Sequence, residues 1–232
     1  MSAHFFPVID RARLQQHFGI VLEESLTWPD EINPQDPAPM VRQHPEHPDE
    51  RQGLLGLFGL LPHWARDPTL ARRTYNARSE TAMDRPNFKE AWAKGQRCIV
   101  PVECILESGL DEHGKACRWQ MSRQDGTPMG VAGLWSRGWS PSGIALMTFA
   151  LLTVDAPDHP LAIQLQRPGE DPRMAAILPA AQFDDWLTCP IAHMPTMLKP
   201  LPAEQLTVRP APPPSVRHAP MRISNIKGDI LI

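Results

Sequence analysis

Proline is the residue that most limits what this chain can fold into. It occurs 27 times in 232 residues, about 12% against a usual ~5%. Each proline fixes φ and removes a backbone donor, so it is excluded from helix interiors and from the middle of sheets. The result to expect is many short elements joined by loops. The prolines also cluster. Residues 28–50 carry Trp28-Pro29, Asn33-Pro34, Asp36-Pro37, His44-Pro45 and His47-Pro48 among acidic residues, and regular structure is not expected there. Eight more fall in residues 195–220, including Pro212-Pro213-Pro214, which reads as an extended or disordered tail. The chain thus divides into a domain over 1–194 and a proline-rich tail over 195–232.

Between the clusters the pattern predicts short elements. Residues 10–19 suit a helix, with Asp10 as N-cap, Leu14 and Phe18 on one face, and Gly19 as the stop. Residues 54–61 suit a buried strand bent at Gly56 and Gly59, and 86–95 a second helix starting at Pro86. Strands are then expected over 97–105, 116–121, 129–135 and 144–154. Gln124-Asp125-Gly126 and Ser140-Pro141-Ser142-Gly143 supply the turns of two hairpins. A strand over 174–178 and a helix over 179–187 complete the domain. Strands dominate with no alternating strand–helix rhythm, which predicts an α+β fold around a twisted antiparallel β-sheet or barrel with short peripheral helices.

Composition excludes several functions. A net charge of −3 does not suit a protein that coats nucleic acid indiscriminately. The charge is uneven, however. Residues 1–50 hold three arginines against nine acids, while 66–97 hold eight basic residues against four acids. The second segment suits either a phosphate-binding patch or a solvated face. Four cysteines form no paired motif, and Cys104, His113 and Cys117 are poorly spaced for zinc, so neither metal nor cofactor is expected. The apolar run 143–154 is far short of the ~20 residues that span a membrane. With no charged-then-apolar leader at the start, the chain reads as cytoplasmic.

Chemistry-bearing residues stand out in two places. Asn76, Arg78 and Glu80 alternate, so an extended backbone would put them on one face, suited to a phosphate or carbonyl ligand or to a hydrogen-bonded turn. Glu107 ends an apolar strand, where a carboxylate can serve as general acid or base or simply meet solvent. Phe5 and Phe58 read as core, whereas Trp64 suits either core packing or stacking on an unpaired base.

These residues sit in blocks. Phe58-Gly59-Leu60-Leu61-Pro62-His63-Trp64, Asn76-Ala77-Arg78-Ser79-Glu80-Thr81, Arg97-Cys98-Ile99-Val100-Pro101 leading to Glu107, Ala132-Gly133-Leu134-Trp135 and Arg173-Met174 occur in this order. Together they resemble the signature of the SOS-response-associated peptidase family, whose members process abasic sites in single-stranded DNA. The resemblance runs from residue 1 to about 190, and it implies that family's fold with a DNA-binding groove.

The resemblance further implies an N-terminal cysteine, exposed by removal of Met1, whose amine and thiol capture the aldehyde of an abasic sugar as a thiazolidine. Asn76 and Glu107 match the assisting asparagine and glutamate. Two positions depart. Ser2 stands where the family has its cysteine, and Asp171 stands where it has a histidine, two residues before Arg173-Met174. A hydroxyl cannot replace the thiol in a stable ring, so Ser2 supports at most a reversible imine through an amine with a pKa of ~8. An Asp carboxylate, ordinarily titrating near ~3.9, accepts a proton but donates one poorly at neutral pH unless burial raises it. His159 is the nearest histidine that could substitute. His4 occupies a position where many members have arginine.

The expected function is recognition and processing of single-stranded or abasic DNA in the damage response, without stable crosslinking. Catalytic candidates are Ser2, Asn76, Glu107 and Asp171. DNA-contact candidates are Trp64, Arg72, Arg73, Arg78 and His4. The alternative is a non-catalytic module that binds DNA or protein.

Overall fold

The computed structural model describes residues 4–110, 113–140, 143–165 and 169–212. Ser2 and the end of the tail lie outside them. Among the described residues one sheet holds β1 (His4–Pro7), β2 (Pro37–Gln43), β3 (Arg51–Phe58), β4 (Asn76–Arg78), β5 (Arg97–Leu110), β6 (Ala116–Arg123), β7 (Met129–Trp139), β8 (Ala145–Asp155), β9 (Arg173–Ala175), β10 (Ile177–Leu178) and β11 (Leu206–Pro210). Five short α-helices lie beside it: α1 (Arg11–Phe18), α2 (Lys89–Ala93), α3 (Pro160–Leu165), α4 (Phe183–Thr188) and α5 (Met194–Met197). The expected α+β class holds. The sheet is mixed, because β8 takes β3 and β4 in parallel while its other neighbours run antiparallel.

Local sequence explains α1 directly. The Asp10 carboxylate accepts from the N–H groups of Ala12 and Arg13, Leu14 and Phe18 are buried, and Gly19 closes the helix in the left-handed region. The second helix is shorter than expected, Lys89–Ala93, because Arg85 O accepts from the N–H groups of both Phe88 and Lys89 and so holds the preceding residues in a turn. The helix expected over 179–187 opens as a 3-10 turn at Ala180–Gln182 before α4. The strand expected over 174–178 is two strands on different neighbours, β9 on β8 and β10 on β7.

Two expectations are overturned. Residues 28–50 are not all irregular, since β2 pairs with β3 along seven positions, from Pro37↔Leu57 to Gln43↔Arg51. Asp36 O accepts from Phe58 N, so even-numbered groups here face β3. Pro37 and Pro39 therefore aim their missing donors at the other edge, where β5 pairs only at Val41↔Ile99. Nor does Gln124-Asp125-Gly126 close a hairpin. β7 lies against residues 97–102 of β5 and β6 against residues 105–110, so the turn is an excursion between two strands that follow one another along β5. At the other turn, β7 and β8 do form the expected hairpin, from Trp139↔Ala145 inward. Past residue 195 the proline-rich segment supplies β11, which pairs with β6 from Leu206↔Arg123 to Pro210↔Trp119.

The core is aromatic where the strands cross. Phe58 packs against Phe5 (5.2 Å between centroids), Phe149 (5.4 Å) and Tyr75 (5.7 Å), tying β1, β3, β8 and the approach to β4 together. Each such pair contributes about 0.5–1.5 kcal/mol beyond its buried area. Phe5 and Phe58 are therefore core residues, whereas Trp64 is half exposed.

Immediately after β3, Gly59 adopts φ 120°. A Cβ there would lie 2.3 Å from the carbonyl oxygen of Ala71, in the 3-10 turn Pro68–Arg73. Gly59→Ala should thus cost about 1–3 kcal/mol by overpacking alone, with backbone strain added. Thermal unfolding should show a clear fall in Tm, and an unchanged Tm would refute this account.

Candidate functional site

The Asn76–Arg78 strand is held by β8, with Asn76 opposite Leu151 and Arg78 opposite Thr153. Ala77 faces the core, leaving Asn76 half-buried and Arg78 exposed on the opposite face. Glu80 does not share that face, because the chain turns at Ser79. Its carboxylate instead accepts from Asp155 N (2.8 Å) and from Arg173 Nη2 (2.7 Å). The Arg173 side chain is only 4% exposed. It also pairs with Asp155 and donates to Thr153 O at 3.0 Å. Thr153 is in register with both Arg78 and Ala175, so this ion cluster pins β4 and β9 to the same end of β8. Sequence reading left Glu80 either on a ligand-facing strand or in a hydrogen-bonded turn; the structure gives it the second role, as a clamp after the turn at Ser79.

Glu107 lies on β5 opposite Trp119 and is half-buried. β1 runs antiparallel to β5 with His4 opposite Leu106, so its N-terminal end is directed at Glu107. Glu107 shares a cleft with Asp171, Glu170, Arg173 and Leu161. The fold thus brings together two expected site residues 64 positions apart. Asp171 is exposed. His159 is engaged elsewhere, with its Nε2 2.9 Å from Leu201 O. His4 points its Nδ1 at Asn33 Oδ1 (2.8 Å) and lies 3.9 Å from the Glu31 carboxylate, which pairs with Arg118.

A second, open cleft of about 660 Å³ is lined by Trp64, Arg66, Asp67, Arg72 and Arg73. Its wall is the 3-10 turn Pro68–Arg73, capped by Asp67, whose side chain accepts from Thr69 N. Hydrogen bonds from Thr69, and then the nearby Arg72 charge, hold the Asp67 carboxyl below its ordinary range. Gln35 braces this turn. It sits at φ 81°, donates to Pro68 O at 3.3 Å and accepts from Arg72 Nε at 2.8 Å. Nothing in the sequence marked Gln35; the signal is its left-handed backbone, which a non-glycine residue seldom adopts. Beside Trp64, His63 Nδ1 lies 2.5 Å from Glu90 of α2.

Elsewhere the described residues offer little chemistry. Burial pushes the Cys104 thiol up to about 12 and raises that of Cys98 as well, so neither is a nucleophile at neutral pH. No group of three His, Cys, Asp or Glu side chains among the described residues could hold a metal ion. No helix of the structure is long and apolar enough to cross a membrane.

The Glu80 clamp is testable. Glu80→Gln removes one charge from a cluster whose acids are partly exposed, which calls for a loss of about 1 kcal/mol. The urea midpoint should fall by a corresponding amount, and Glu80→Asp should not restore it, because the shorter side chain cannot span Arg173 and Asp155 N together. Wild-type stability in Glu80→Gln would show that the cluster contributes nothing.

Comparisons with known proteins bear on the family and the fold. The family model for the SOS response associated peptidase (SRAP) matches residues 1–214. Abasic site processing protein YoqW of Bacillus subtilis is 30% identical over 97 residues, 41% of this chain and 42% of that protein. Abasic site processing protein YoaM of the same organism is 28% identical over 99 residues, 42% and 43% of the two chains. The match therefore spans less than half the length of these curated relatives. Among crystal structures, a protein from Bordetella bronchiseptica superposes with a TM-score of 0.82 at 33% identity, covering 90% of this chain and 99% of the other. One from Bacteroides thetaiotaomicron gives a TM-score of 0.74 at 23% identity, with 89% and 90% coverage.

Proposed function

The chain belongs to the SOS response associated peptidase family, and on that premise we propose that it recognises and processes abasic sites in single-stranded DNA in the damage response. The observation that carries this reading is the cleft shared by Glu107 and Asp171, towards which the N-terminal end of β1 is directed. A ring-opened abasic sugar presents an aldehyde. Once Met1 is removed, the Ser2 amine adds to that carbon, and loss of water gives an imine. Glu107 shuttles the protons that addition and dehydration require, and Asn76 orients the sugar by hydrogen bonding. Arg72, Arg73 and Arg78 hold phosphates, and Trp64, half exposed beside the arginines, stacks on a neighbouring base.

Two departures limit the chemistry. The Ser2 hydroxyl cannot close a ring as stable as a thiazolidine, so the imine stays reversible. Asp171, exposed, is a carboxylate in the place of the family's histidine. Elimination of the neighbouring phosphate from the imine then leads to strand cleavage. The same departures favour a second reading, of a module that binds DNA without reacting.

Incubation with abasic single-stranded DNA, with and without borohydride, separates the readings. The imine predicts an adduct only with borohydride, mapped to residue 2 by mass spectrometry. An adduct that survives without reductant would overturn the role given to Ser2, and binding with no adduct under either condition would favour the module. Ser2→Cys combined with Asp171→His should yield a stable crosslink. A folded double variant that forms none would count against the placement of both residues.

A further inference from the structure

On β7, exposure alternates beyond Leu134. Ser136 and Gly138 face inward, while Trp135, Arg137 and Trp139 face out. Trp135 is partly covered by Arg42 of β2, whose guanidinium lies 4.9 Å from the ring centroid. The Nε of Arg42 donates to Gln52 Oε1 at 2.8 Å, so its nearest polar partner is an amide and not an acid. Arg137 is exposed, two positions along β7 and on the same outer face as the Trp135 that Arg42 covers. Burial first, and Arg137 second, hold the Arg42 guanidinium below its ordinary pKa. Among the described residues no carboxylate is ion-paired with either arginine. Trp139, two positions along, is 47% exposed.

Two arginines that repel one another destabilise the free protein slightly, and an anion on the exposed one offsets that cost. An exposed indole beside them supplies a stacking face. We propose that Arg137 and Trp139, with the buried charge of Arg42 behind them, form a binding patch for one nucleotide of a single strand, its phosphate on Arg137 and its base on Trp139. The patch is separate from Asn76. Trp139 is opposite Ala145, and Leu151, six residues further along β8, is opposite Asn76, which puts the two about 20 Å apart along the strand. It therefore holds DNA that extends beyond the lesion. The inference rests on the proposed function in taking single-stranded DNA as the ligand.

The test is binding of labelled oligothymidines of about four and about twelve nucleotides, each carrying one central abasic site, lengths that bracket common single-strand site sizes. Wild type, Arg137→Ser and Trp139→Ala are compared, both substitutions being on exposed side chains. For the longer strand, Arg137→Ser should flatten the plot of log K against log salt by about 0.7, the share of one phosphate. Trp139→Ala should weaken binding of the longer strand about tenfold. Neither should change binding of the shorter one. Wild-type affinity and salt slope in both variants would overturn the patch while leaving the proposed function standing. Failure of wild type to bind either strand would sink both. A mononucleotide bound to wild type as tightly as the longer strand would also overturn it, since a small-molecule site would then be indicated.

Discussion

A strand has two edges, and each backbone group on an edge can be paired only once. β5 meets that constraint over fourteen residues by changing partners on both sides. One edge runs against β2 and then β1, the other against β7 and then β6. Val102 pairs with Pro7 and Met129, and Ile105 with Phe5 and Met121, so β1 is on one edge while β6 and β7 share the other. The first half of β5 is thereby locked in the core, and the second half carries Glu107 out to the end where β1 begins. The position of the candidate site follows from this change of partners.

β8 performs the matching task on the other side. It accepts β4 and β9 at one end, and the Glu80–Arg173–Asp155 cluster holds the three together. A buried guanidinium is costly unless its donors are satisfied; here Thr153 and two carboxylates satisfy them. The cluster fixes where Arg173 begins β9, and hence where Asp171 enters the cleft. Glu80 and Asp171 never appear together in a local reading, yet one sets the position of the other.

Features written in neighbouring residues were legible from the sequence. The caps of α1, the long central strands and the blocks around Asn76 and Glu107 all depend on local spacing, and the α+β class followed from them. Features that depend on which edge of a strand meets a neighbour were not legible. Pro37 and Pro39 argue against a strand unless the edge they face is nearly free of ladder bonds, and composition cannot say so. Gln124-Asp125-Gly126 has the right residues for a hairpin turn; only the length of β5, which templates both flanking strands, makes it an excursion. Gln35 escaped notice, and the partner of Glu80 could not be named, because Arg72 and Arg173 are 37 and 93 positions away. The patch of Arg42 and Arg137 is hidden for the same reason.

Charge is sorted across the site in a way that bears on the proposed function. Glu107, Glu170 and Asp171 line the cleft, and the one arginine there, Arg173, is already paired with Glu80 and Asp155. A phosphate entering that space would meet carboxylates, an unfavourable approach where solvent screening is weak. The arginines stand outside it: Arg72 and Arg73 in the second cleft, Arg78 exposed on β4 and Arg137 on β7. An abasic sugar is neutral once its base is lost, whereas the phosphates on either side keep their charge. A strand that turns its damaged sugar inward and leaves its phosphates outside the cleft satisfies both regions at once. An intact nucleotide, with a base to accommodate beside the carboxylates, does not. On the proposed function, selectivity for the lesion comes from what the cleft refuses, and affinity from arginines outside it.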